Sequence, residues 1–252
     1  MFNLLRAEAL KSKRTFARKL AYGAPLFFVV YALVVKMLMP VQQLASWDLL
    51  LYMVFNWWPV LFIPLGTALL CALTEAREKK SGADRSLRSR PVSLKGLWLS
   101  KIAVTGWLTF LSSCVLMVST LAAGLLIADG QPPVLDIIVG GLTVWLVSLS
   151  LIPLQLMAAA WKGSICSILL GLFGLFAGVL SAASSYWVAV PWSWPTRLMA
   201  PMFGVHPNGV PLTEGDPLLS SSIIPVGIAA SIVFLAGTSL LTAVWYARRE
   251  VR

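Results

Sequence analysis

Six apolar runs, at 20–39, 49–73, 102–127, 135–160, 164–190 and 223–246, constrain this chain more than any other feature. Each has the ~20 residues that an α-helix needs to cross the hydrocarbon of a bilayer. Lipid offers no hydrogen-bond partners, so runs of this kind fold as helices that satisfy their own backbone. Composition agrees: 58% of the 252 residues are hydrophobic and 12% are charged, about half the charge of a soluble domain. An ordinary soluble enzyme is thereby excluded. The expected fold is all-α: a polytopic membrane protein with six transmembrane helices.

The net charge of +10 is distributed between the runs. Six Lys and Arg precede the first run, eight lie between the second and third, Lys162 separates the fourth and fifth, and three follow the sixth. Only Lys36 and Arg197 fall on the other side, so the positive-inside rule expects both termini in the cytoplasm. No nucleic-acid motif accompanies this charge, and no nucleic-acid partner is expected. The basic segment before the first run is too long for a signal peptide and lacks a small-residue cleavage site, so the run is read as a retained span. Cys71, Cys114 and Cys166 lie inside apolar runs without metal or disulfide spacing and are read as packing residues.

Before the first span, Phe2, Leu5, Ala9, Ser12 and Phe16 recur at helical spacing, with Arg6, Lys11, Lys13, Arg14 and Arg18 on other faces. One reading is a helix over 1–19 lying on the inner membrane surface; the other is a disordered basic leader. Between spans two and three, 74–101 forms the longest cytoplasmic loop. Gly82 ends the preceding helix, Asp84–Ser89 has room for a short helix, Pro91 stops it, and Ser93 is placed to cap span three. A lever between two spans and a solvated basic loop both fit this pattern. The segment 191–222 is read as an external loop, with Trp187, Trp192 and Trp194 in an interfacial aromatic belt.

Membrane enzymes leave polar fingerprints in their spans, and none is present. His206, the single histidine, lies in the external segment without a nucleophile beside it. H-E-x-x-H, paired metal-binding carboxylates and a phosphate loop are all missing. The span interiors carry no ionisable residue of the kind that ion-coupled transport requires; Lys36 is read as snorkelling outward, and Asp136 as lying at a span edge. Pro59, Pro64 and Pro153 are expected to bend spans two and four. Gly171, Gly174, Gly178 and Ala182 form a small-residue stripe in span five, for helix packing within the chain or for a subunit interface. Asn56, beside Trp57 and Trp58, is the most polar point of outer span two, and either bonds a neighbouring helix, the favoured reading, or touches a ligand.

This order of parts, with the loop Glu75-Ala-Arg-Glu-Lys followed by Leu87-Arg-Ser-Arg-Pro-Val-Ser and then Lys101, resembles the permease subunits of type-2 ABC exporters. More narrowly it is similar to lantibiotic-immunity and bacitracin-resistance permeases. The resemblance implies one transmembrane domain over 1–252, with an interfacial helix at 1–19, a cytoplasmic coupling loop at 74–101 and an extracytoplasmic loop at 191–222. It implies that Asp84, Arg85, Leu87 and Arg88 dock on a separate ATPase subunit, while Glu75, Arg90, Pro91 and Lys101 shape the loop. It also implies ATP and Mg on that partner with no cofactor on this chain, a second permease subunit, and a peptide antibiotic as cargo expelled from the bacterial inner membrane. The alternatives are a permease for another hydrophobic cargo, or a six-span enzyme or scaffold without an ATPase.

Overall fold

The computed structural model describes residues 2–37, 46–82 and 92–249. Among these residues six helical segments have the length and apolarity to cross a membrane: Phe16–Lys36, Trp47–Ser81, Leu94–Ile127, Val134–Lys162, Ser164–Ala182 and Ile223–Arg248. They match the six apolar runs. A shorter helix, α1 (Phe2–Ser12), precedes them, and α2 (Phe16–Met37) is the first span.

Spans two and four are each built from two helices joined through a change of hydrogen-bond pitch. In span two, α3 (Trp47–Trp57) passes through a π-helical segment, Trp58–Phe62, into α4 (Ile63–Ser81). Pro59 and Pro64 cannot donate to an α-helical ladder, and the chain responds by widening: the Ile63 amide reaches back five residues to the Trp58 carbonyl. The third span, α5 (Leu94–Ile127), is continuous. In span four, α6 (Val134–Ser148) tightens into a 3-10 turn at Leu149–Leu151 before α7 (Ile152–Lys162), just ahead of Pro153. The irregularities expected from these prolines are thus present, as pitch changes. Pro25, inside α2, is a further intrahelical proline.

The fifth span, α8 (Ser164–Ala182), stops eight residues short of the expected end. The Ser184 hydroxyl bonds back to the Ser181 carbonyl, and the chain then turns through Trp187–Ala189 toward Pro191. The segment expected as an external loop instead contains a buried helix, α9 (Ser193–Phe203), packed against α3, α6 and α8. Its Pro195 is tolerated because a first helical turn has no use for that amide, and Gly204 ends it in a left-handed conformation (φ 68°). Span six is α10 (Ile223–Arg248).

Tight burial in lipid depends on close contact rather than on exclusion from water. Pairing of α4 with α8 and of α2 with α5 supplies the most extensive contacts. One apolar cluster, including Leu50, Phe55, Trp58, Trp194, Leu198 and Phe203, fills the end of the bundle nearest α9. A second, including Cys71, Trp98, Leu156 and Tyr246, fills the end at which α1 and the last turns of α10 lie. These are called the distal and basal ends below.

Three sequence readings are corrected by the structure. Trp187 and Trp194 are buried in protein instead of forming a belt; the Trp194 indole donates to the Val188 carbonyl at 3.0 Å. Lys36 does not snorkel: it is buried and donates to the Ser46 carbonyl at 3.1 Å. The N-terminal helix ends at Ser12, and an elbow at Arg14 (φ 58°) separates it from α2. Its face toward the bundle carries Glu8 and Ser12, and Phe2 and Ala9 of the apolar stripe point away from the protein.

Candidate functional site

At the basal end, α4 leaves the bundle with two carboxylates three residues apart on one face, Glu75 and Glu78, and terminates at left-handed Gly82. The chain re-enters at α5, where the Ser93 hydroxyl accepts the Gly96 amide as an N-cap. Two turns into α5, Lys101 points back at α4. Its ammonium is fully buried, lies 2.7 Å from Glu75 Oε1 and pairs with Glu78 Oε2. The two legs that flank residues 83–91 are therefore braced by ion pairs across their inner turns.

The brace extends to two more elements. Lys11 on α1 bridges Glu78 and Glu8, each at 2.8 Å, and Arg77 grips Glu8 at 2.9 Å and the Lys11 carbonyl at 3.0 Å. Burial alone would lower the Lys11 ammonium, but its hydrogen bonds to Glu78 and Glu8 and their charges outweigh this and hold it above its ordinary value. On the α10 side, Lys101 lies 4.9 Å from the centre of the Tyr246 ring, and Trp98 stacks on that ring at 4.6 Å. The Trp98 indole donates to Thr242 Oγ1 at 2.9 Å. Three carboxylates and three cations thus join α1, α4 and α5, with α10 attached through the aromatic stack. Such a group cannot reposition one helix without moving the others, because a charge left behind would be buried without its partner.

Of the residues singled out from the sequence, Glu75 and Lys101 are brought together here. Asp84, Arg85, Leu87, Arg88, Arg90 and Pro91 lie outside the described residues. Glu8, Lys11, Arg77, Glu78, Trp98 and Tyr246 were not anticipated. The signals for two were visible: Glu8 is the one acidic residue in the first 47, and Glu75 and Glu78 have the spacing of a shared helical face.

Gly171, Gly174, Gly178 and Ala182 pack within the chain. A Cβ on Gly171 would stand 2.6 Å from Ala68 Cβ and 2.9 Å from the Pro64 carbonyl oxygen, so α8 touches α4 backbone directly. Gly174 and Gly178 receive Trp192, and Ala182 is fully buried.

At the distal end, the Asn56 Nδ2 donates 2.9 Å to the carbonyl of His206, in the turn that follows α9, and not to a neighbouring span. Trp57 is half exposed, and Trp58 is buried against Phe62 with ring centres 5.0 Å apart. Arg197, on buried α9, donates to the Leu218 carbonyl at 3.0 Å and lies over the Trp187 ring. A cap over the distal end is therefore tied to span two and to the chain entering span six.

A family model described as an ABC-2 family transporter protein matches residues 4–178, from α1 through most of span five. The chain belongs to this family, and is thus a multi-pass permease component of an ABC transporter, for which the family implies an ATPase partner subunit. No curated protein and no solved structure matched the chain.

Proposed function

We propose that this permease is driven by a separate ATPase docked on residues 83–91, and that it expels an amphipathic peptide antibiotic from the bacterial inner membrane, conferring immunity or resistance. ATP and Mg are held by the partner, and a second permease subunit, identical or related, completes the transporter. Both termini face the cytoplasm. The observation that carries the coupling is the brace of Glu75, Glu78 and Lys101 at the base of 83–91. A push on that loop reaches α1, α5 and α10 together, which is how a binding event on one side shifts a whole bundle between states. The peptide cargo rests on the similarity of Glu75–Lys101 to the lantibiotic and bacitracin permeases.

The test is purification of tagged protein from native membranes in mild detergent, with identification of bound subunits. An ABC-type ATPase is expected with the native chain and is expected to be lost with Leu87→Asp at equal membrane level. Recovery of the same ATPase with Leu87→Asp would refute docking on this loop. For the cargo, deleting the gene is expected to sensitise cells to a membrane-active cationic peptide; unchanged sensitivity across such peptides would remove that assignment while leaving the coupling intact.

A further inference from the structure

The basal end sorts its charges by sign. Among the described residues its carboxylates, Glu8, Glu75 and Glu78, are all buried and paired, so the charge left on its surface is cationic. Four of the exposed cations, Arg6, Lys13, Arg14 and Lys19, are gathered on α1, its elbow and the first turns of α2. They alternate with exposed apolar side chains: Phe2 is 79% exposed, Leu10 53% and Phe16 62%. Phe2, Arg6, Leu10 and Lys13 follow one another at steps of four, four and three and so share one face of α1. A helix bathed in water has no use for Phe2 and Leu10 on that face, whereas a membrane surface takes up both kinds of side chain.

Two observations place this face in the bilayer. The first is depth. Asn56 bonds the distal cap and Glu75 belongs to the basal charge cluster; the chain from one to the other rises about 28 Å at 1.5 Å per residue, the thickness of a hydrocarbon core. The Glu75–Lys101 pair therefore marks the basal boundary of that core. Helix α1 is pinned at two points beyond it: Lys11 on Glu78, one turn past Glu75, and Leu4 against Gly96, which precedes Lys101 on α5. These anchors lie about 4.5 and 7.5 Å outside the boundary, both within a headgroup layer of roughly 5–8 Å. Helix α1 thus runs along the headgroup layer and does not project from it. The second observation is continuity. Phe16, Lys19, Gly23, Phe27, Val30 and Val34 are the exposed stripe of span one, and the stripe begins beside the elbow, so the exposed face of α1 joins the lipid-facing side of the bundle.

We infer that the exposed face of α1 binds anionic phospholipid of the basal leaflet, and that this contact steadies the ion-pair brace behind it. Phe2, Leu10 and Phe16 enter the apolar edge of the leaflet, and Arg6, Lys13 and Arg14 take lipid phosphates. The opposite face of α1 carries Glu8 and Lys11 into the brace, so a lipid that holds α1 in place also holds Lys11 on Glu78. The charge of the leaflet is thereby felt at the base of 83–91. This inference requires neither the peptide cargo nor the ATPase.

The test uses full-length protein in nanodiscs of phosphatidylcholine alone or mixed with phosphatidylglycerol, with hydrogen exchange of 2–19 and 75–82 as the readout. Phosphatidylglycerol is expected to slow exchange of 2–19 by about fivefold for each cation engaged, the worth of one Lys or Arg at an anionic surface, and high salt is expected to erase the difference. Exchange of 75–82 is expected to follow, because Lys11 joins the two segments. Arg6→Gln, Lys13→Gln and Arg14→Gln together are expected to abolish the phosphatidylglycerol effect, while Lys162→Gln with Arg248→Gln, at exposed cations of the same end, keeps it. Equal exchange of 2–19 in the two discs, or a phosphatidylglycerol effect that survives the triple variant, would overturn the proposal. Protection that arises only when a second copy shares the disc, or when the co-purified ATPase is added, would assign the face to a protein and overturn it as well. Exchange of 75–82 that ignores the lipid would remove the link to the brace. Should the triple variant not be recovered, phosphatidylglycerol with a photoactivatable headgroup decides on the native chain: label on 2–19 is expected, and its absence there overturns the proposal.

Discussion

Lys101 shares one fully buried ammonium between two carboxylates, so Lys101→Met takes a buried cation from both Glu75 and Glu78, leaving Lys11 as the cation on Glu78. Breaking a buried pair in this way costs about 3–5 kcal/mol. Lys101→Met is expected to lower the detergent-solubilised melting temperature strongly, and adding Glu75→Gln and Glu78→Gln to it is expected to recover much of the loss. Thermal unfolding followed by gel filtration measures both; a triple variant no more stable than the single would refute a charge-based penalty. Gly171 poses the opposite problem, of space. Gly171→Ala forces α8 away from the Pro64 carbonyl and is expected to destabilise by roughly 1–3 kcal/mol, whereas alanine at Gly66, over open cavity, is expected to be neutral within about 0.5 kcal/mol. The same melting assay separates them.

Among the elements, α1 is held to the bundle by the ion pairs of Glu8, Lys11 and Arg77, with Leu4 set against Gly96 of α5. Glu8→Ala leaves Arg77 and Lys11 beside each other with one carboxylate fewer, so α1 is expected to loosen. Limited trypsin digestion at 13–19 should accelerate several-fold relative to the native chain. The raised pKa of Lys11 fixes the alkaline limit of docking: its contribution is complete below the ordinary value of 10.5 and fades only as pH climbs through the higher folded value. Hydrogen exchange in α1 is therefore expected to show constant protection between about pH 7 and pH 10. Both ends of the loop before span three were legible in the sequence, because Gly82 and Ser93 act locally through a left-handed stop and a hydroxyl cap. The existence of α1 was legible for the same reason, but not its inward face, since Glu8 is drawn inward by Arg77, far along the chain. Helix α9 was hidden because prolines and glycines dominate its neighbourhood, and its burial depends on contacts with α3, α6 and α8 that no local pattern encodes. The candidate site was half legible: Glu75 and Lys101 carry the family resemblance, while Glu78, Trp98 and Tyr246 join them only through tertiary packing.

Taken as a whole molecule, the described chain has a charged basal end that bears α1 and the last turns of α10, and a distal end closed by α9 and the turn bonded to Asn56. The proposed orientation puts the basal end in the cytoplasm, so an impermeant thiol reagent applied to intact spheroplasts is expected to label Glu214→Cys and to leave Asn3→Cys unlabelled until the membrane is permeabilised; the reverse pattern would invert the orientation. Span two connects these ends through Trp58–Phe62, and the π segment there carries a rotational consequence. Hydrogen bonds that reach five residues back, in place of four, accommodate one more residue than an unbroken α-helix would in the same length. Deleting one residue from 58–62 would allow a uniform helix with both halves in their present register, whereas straightening the segment with every residue kept would turn one half against the other by about 100°. Asn56 would then swing away from the His206 carbonyl while Glu75 and Glu78 stayed against Lys101. Span two is in this sense two gears on one shaft, and the π segment sets the angle at which they mesh.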